Sequence, residues 1–257
     1  MKTIVPNRSN NFDIIRFVAA SQVVIWHSIE HLFLNNITVS NIIKKIIEPI
    51  PGVPIFFVIS GFLIYTSYER NNNLRQYLKN RMLRIFPGLW FVFIFTLLML
   101  TILGFIIPNI MLKSFWLWVF TQITIFQFYT PDFLRSFGAG NPNGSLWTIF
   151  IEFSFYLFIP FLFLLKKINF RIIAIIILIG ISILYNFWYN DNFKARAQDL
   201  NIIQKLLGLN LLPYLFYFLI GVLIKIKWEV IKIYFVNKGF VWLSCYFSYY
   251  IIFFFNT

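Results

Sequence analysis

The chain alternates long apolar stretches with short polar connections. Apolar runs over residues 13–34, 53–68, 88–107, 146–165, 171–188, 206–224 and 239–255 read as helices that cross a bilayer, at a rise of about 1.5 Å per residue. An eighth stretch, 115–128, is interrupted by Thr121, Gln122, Thr124 and Gln127. Irregular polar backbone at membrane depth is tolerated only under protein cover or along a cavity, so this stretch is expected to be re-entrant or interfacial. The predicted fold class is all-α: a multi-span transmembrane helical bundle of about seven spans plus that segment.

The first span departs from a plain anchor. It carries Asp13, Arg16, His27, Glu30 and His31, and charges at the centre of a spanning helix each cost about 2.5 to 3.5 kcal/mol unless they face a cavity or a partner. At 100° per residue, with Arg16 at zero, Asp13 and His31 fall near about +60°, His27 near about +20° and Glu30 near about −40°. The five groups share about 100° of arc, with Arg16 and His27 roughly 16 Å apart along the axis. Ala19, Ala20 and Val23 lie on the same face, leaving room for a ligand beside the polar stripe. The competing explanation is that these groups only pair with other helices.

A second polar stripe follows in the span 146–165. Ser145, Thr148, Glu152 and Tyr156 share one face at helical spacing, with Ser145 the expected N-cap, and Glu152 is expected to face the interior of the first helix. Between the second and third spans, residues 69–84 contain Arg70, Arg75, Lys79, Arg81 and Arg84. Leu74, Tyr77, Leu78, Met82 and Ile85 recur at helical spacing, which predicts an interfacial amphipathic helix ahead of a span opened by Pro87 and Gly88. Arg81, seven positions after Leu74, shares its apolar side and is aimed into the protein. The Ser60-Gly61 pair in the second span reads as a packing contact.

Composition narrows the class. Hydrophobic residues make up 60% of 257 and charged residues 12%, with a mean hydropathy of +0.76, which excludes an ordinary soluble domain. The formal charge of +13 resides in short connections beside apolar spans, where lipid headgroups account for it, so no nucleic-acid partner is expected. Lysines and arginines are about twice as frequent on the side holding the N-terminus and residues 69–84 as on the other, which predicts a cytoplasmic N-terminus. Residues 1–12 carry no cleavable signal, so the first helix is expected to be retained. A single cysteine, Cys245, excludes an intrachain disulfide framework and a cysteine-based metal site, and no metal is expected. The glycines around 138–144 lack the preceding strand and spacing of a nucleotide loop.

Four motifs follow one another along the chain: Asp13 and Arg16 followed by His27, GVPIFFVISGFLI at 52–64, RMLRIFP at 81–87, and GSLWTIFIEFSFYLFIP at 144–160. In this order they resemble the acyltransferase 3 family of integral membrane enzymes that O-acylate sugars of the bacterial envelope. Phe153 departs from the pattern, since many members carry a second glutamate there. The resemblance implies a single transmembrane acyltransferase domain over 1–257 that lacks the C-terminal spans of a ten-span fold, seated in the bacterial inner membrane. It implies acyl-CoA, most often acetyl-CoA, as co-substrate, no bound cofactor, and an envelope glycan or lipid-linked saccharide as acceptor. His27 would be the general base and Arg16 would anchor or polarise the donor. Arg81 and Arg84 would bind the CoA phosphates through their guanidinium forks. Asp13, Glu30, Glu152, Tyr156 and Ser145 would support the site or the acceptor. Alternatively, the acyl group passes through a covalent enzyme intermediate, which nothing in the sequence excludes. The alternative is a polytopic transporter or proton-coupled channel built on the same stripe, against which no internal repeat is seen.

Overall fold

A computed structural model describes residues 11–31, 37–138, 140–193, 202–242, 244–246 and 248, without the side chains of residues 11, 30, 31, 37, 38 and 202. The described residues are helical, with no strands. The helices are α1 (Asn11–His31), α2 (Ile37–Ile47), α3 (Gly52–Arg70), α4 (Leu74–Ile102), α5 (Lys113–Ile123), α6 (Trp147–Leu164), α7 (Ile168–Phe193), α8 (Ile202–Gly208), α9 (Leu212–Ile226) and α10 (Trp228–Phe235). Six segments among them are long and apolar enough to cross a membrane, and the protein is a multi-pass membrane protein with a helical bundle fold. Most of the seventh apolar stretch, 239–255, lies outside the described residues.

Helix α3 is the centre of the bundle, packed against α9 most closely and also against α1, α6 and α4. Small residues make this possible. A Cβ added to Gly61 would lie 2.0 Å from the Phe218 carbonyl oxygen, and one added to Gly221 would lie 1.9 Å from that of Val58. The two backbones therefore touch where lipid supplies no hydrophobic drive for association. Around this contact Tyr65, Phe155, Tyr156, Phe218 and Val222 form the main core, and the rings of Phe155 and Phe218 stack at 4.0 Å. A smaller core gathers Leu100, Ile106, Phe115, Trp118 and Leu134.

Several boundaries differ from those the sequence suggests. Residues 74–84 are not a separate interfacial helix. They are the first turns of α4, which runs unbroken through Pro87 for about 43 Å, the thickness of a bilayer with its headgroups. Asn73 starts α4 by accepting the Gln76 backbone N–H at 3.0 Å, and buried Tyr77 fastens its first turns to α6 by donating to the Tyr156 carbonyl at 3.1 Å. Pro87 removes a single helical bond, which this packing outweighs. Tyr77, Leu78 and Ile85 of α4 belong to the main core, whereas Phe93, Leu97 and Leu100 belong to the smaller one, so Pro87 falls between the two.

Ser145 does not cap α6. Its hydroxyl donates to Asn143 Oδ1 at 2.8 Å, and a 3-10 turn, Gly144–Leu146, precedes the helix. The connection 35–48 contains a helix, α2, whose Lys44 ammonium lies 5.5 Å from the Trp26 ring centroid. The expected loop 189–205 is shortened at both ends, by α7 to Phe193 and by α8 from Ile202. Stretch 115–128 forms only the eleven-residue α5, about 17 Å long and too short to span.

Gly61→Ala or Gly221→Ala is expected to cost about 3 kcal/mol or more, because a helix must move by over an ångström. Gly180→Ala in α7, where a Cβ meets nothing within 4 Å, should be neutral or stabilising. Thermal unfolding in detergent distinguishes the two classes. In a Cys245→Ser background, Asn72→Cys and Asn143→Cys, at opposite ends of α4 and its return, should react with an impermeant thiol reagent from opposite faces of a sealed vesicle. Labelling from one face would contradict this arrangement.

Candidate functional site

The polar stripes of α1 and α6 meet across a cavity of about 490 Å³. Arg16, Arg84, Ser145, Thr148, Glu152 and Tyr156 line it, and Ala20, Val23, Val24, Val53 and Phe57 supply an apolar wall. Helix α1 is positioned by one buried side and one polar link. Ala19 is fully buried, and the Gly52 backbone N–H, one of the unpaired donors at the start of α3, donates to Gln22 Oε1 at 3.1 Å. At Gly52 a Cβ would lie 2.5 Å from the Ala19 carbonyl oxygen, so only glycine lets the two helices close. This contact holds Arg16 within the field of Arg84, Glu152 and Asp13.

On the opposite wall the Tyr156 hydroxyl donates to Glu152 Oε1 at 2.5 Å. Both arise from the i, i+4 spacing of α6, which stacks them on one face. Glu152 therefore presents a carboxylate with one oxygen already engaged, facing two guanidinium groups across a half-apolar chamber. Such an arrangement can hold a polar, partly anionic ligand and stabilise developing negative charge.

Arg81 is set back from the cavity. Its guanidinium lies 5.8 Å from the Tyr77 ring and 5.7 Å from the Tyr156 ring, and its buried Nε has no hydrogen-bond partner among the described residues. Arg84, one turn on, is exposed and lines the cavity. The two arginines thus occupy different settings.

His27 is exposed and does not line the cavity. It stands one turn beyond Val23 and Val24, which do, about 5.4 Å farther along α1. Asp13 is exposed near the other end of the helix. The side chains of Glu30 and His31 lie outside the described residues. Ser60, 6% exposed, lines the cavity, although the sequence pattern explains it by packing alone, and Gln22, which links α1 to α3 without lining the cavity, carries no charge to draw attention. No group of three or more histidine, cysteine, aspartate or glutamate side chains suited to a metal occurs among the described residues.

A bundle of membrane-spanning helices around a chamber lined by arginine, glutamate and tyrosine defines a multi-pass membrane protein with a buried polar site. The chain matches the acyltransferase domain model of the acyltransferase 3 family over residues 9–256, and it belongs to that family. It is 30% identical over 245 residues, 91% of its length, to Nodulation protein 10 of Rhizobium leguminosarum bv. viciae, of which it spans 64%. It is also 30% identical over 154 residues, 53% of its length, to peptidoglycan O-acetyltransferase OatA of Listeria monocytogenes serovar 1/2a, of which the match covers 24%. No solved structure matches the chain significantly.

The different settings of the two arginines predict different costs. Arg81→Ala, which empties a space between two rings, is expected to destabilise by about 1 to 2 kcal/mol. Arg84→Ala, exposed, should stay within about 0.5 kcal/mol of the wild type. Equal shifts in detergent melting temperature would count against the distinction.

Proposed function

We propose that this protein transfers an acyl group, most readily acetyl, from acyl-CoA to a hydroxyl of a bacterial envelope glycan or its lipid-linked precursor. The observation that carries the reading is the convergence of Arg16, Arg84, Glu152 and Tyr156 on one cavity in a chain of the acyltransferase 3 family. Family membership favours transfer over the transporter alternative. The name of the Listeria relative supports an acetyl group and a glycan. The site is proposed to lie in the inner membrane with the N-terminus cytoplasmic, following the distribution of lysine and arginine.

In this scheme Arg84, with Arg81 behind it, binds the donor phosphates. Arg16 faces the thioester carbonyl, where its charge stabilises the oxyanion of the tetrahedral intermediate. His27 takes the proton from the acceptor hydroxyl as its oxygen attacks. A C–O bond forms, the C–S bond breaks, and the CoA thiolate leaves and takes up the proton. Tyr156 orients Glu152, and Asp13, Ser145 and Glu30 support the acceptor side. A second reading assigns the base to Glu152, because Glu152 lines the cavity and His27 does not.

Transfer from labelled acetyl-CoA to glycan in membranes containing the protein separates the two. With His27 as base, His27→Ala lowers kcat by about 10² to 10⁴, while CoA binding persists. If Glu152→Gln lowers kcat by that factor and His27→Ala does not, the base is Glu152. Arg84→Ala should raise KM for the donor, with lysine restoring it only in part because the fork is lost. Absence of transfer to any hydroxyl acceptor by the wild type would return the transporter reading.

A further inference from the structure

A second cavity, of about 370 Å³, opens where α3 and α6 end and α7 begins. Tyr68, Asn72, Lys166 and Arg171 line it, with Phe163 and Leu164 on the apolar side. No carboxylate lines it. Glu69, next to Tyr68, is instead paired with Lys225 at 3.0 Å. Two cations therefore face one cleft with no protein anion between them.

Arg171 is fixed in place. Its Nε donates to the Leu165 carbonyl at 2.7 Å, its Nη1 donates to the Tyr65 hydroxyl at 3.1 Å, and its guanidinium stacks 4.2 Å from the centroid of the Phe163 ring. Two of the five N–H donors of a guanidinium are thereby used and three remain. Tyr68 adds a hydroxyl to the cleft wall, and that hydroxyl makes no hydrogen bond among the described residues. The Lys166 ammonium likewise has no ion-pair partner among the described residues.

We infer that this cleft binds a phosphate ester, with Arg171, Lys166 and Tyr68 as its ligands and Asn72 at its mouth. A fixed fork, an ammonium and a hydroxyl converging from different sides suit the tetrahedral oxygens of a phosphate. Leu164, on the apolar side of the cleft, is 73% exposed. The phosphate can belong to an anionic phospholipid or to a soluble nucleotide. A partition of Tyr68, Tyr77, Arg81 and Tyr156, linked ring to ring and ring to cation, separates the cleft from the first cavity. The inference does not rest on acyl transfer.

The test compares wild type, Lys166→Gln and Lys166→Gln/Tyr68→Phe, which leave Arg171 and the ring packing in place. One arm measures retention of phosphatidylglycerol against phosphatidylcholine by native mass spectrometry from nanodiscs holding both lipids. The other titrates adenosine 3′,5′-bisphosphate and follows the melting temperature. The double variant should bind one of the two probes about tenfold or more weakly, and the probe affected names the source. Arg135→Ala, at an exposed cation that lines neither cavity, should leave that binding unchanged. Equal binding of both probes by wild type and double variant overturns the inference.

Discussion

Backbone contact between α3 and α9 sets the spacing to which the remaining helices are fitted. In lipid, two helices gain nothing from hiding apolar surface from water, so their attraction depends on how closely they approach. Gly61 against Phe218 and Gly221 against Val58 remove the side chains that would hold them apart. Once that distance is fixed, Phe155 can stack on Phe218 and Tyr156 can lie fully buried. The orientation of α6, and with it the direction in which Glu152 points, follows from this contact.

The opposite wall is built differently. Helix α1 has little buried surface, with Ala19 and Ile29 its only fully or nearly buried side chains among those described, and it meets α3 through Phe12 on Phe62, Ala19 and the link between Gln22 and Gly52. The cavity thus has one wall set in the core and one carried on a largely exposed helix. Its two guanidinium groups come one from each kind of support: Arg16 from α1, Arg84 from the long α4. Like charges converging in this way raise the energy of the empty chamber, and an anionic ligand relieves it.

Much of this was legible from periodicity. Charges within apolar runs are expensive enough to mark a cavity, and Arg16 and Glu152, read from opposite stripes, do line one chamber. Ser60-Gly61 was readable as close packing because glycine in a span has few other uses. Other features were hidden for physical reasons. The unbroken α4 depends on Tyr77 reaching α6, a contact separated by 79 residues in sequence, against which the local signal of Pro87 pointed the other way. The failure of Ser145 to cap followed from Asn143 capturing its hydroxyl, a competition that spacing alone does not reveal. His27 shares an angular sector with Arg16, yet an angle says nothing about where a cavity stops along the axis.

The place of Pro87 on α4 has a mechanical consequence. The residues before it are embedded in one core and those after it in another, so it marks the joint at which two packed bodies share a single rod. A proline there leaves the rod one hydrogen bond short and easier to bend. Bending at this joint is resisted by the contacts of Phe126 and Phe128 with Phe150, an aromatic stay across the gap. Arg84 lies within one turn of the joint, on the side of the larger body, so flexing would displace the smaller body while leaving that charge aligned with the chamber.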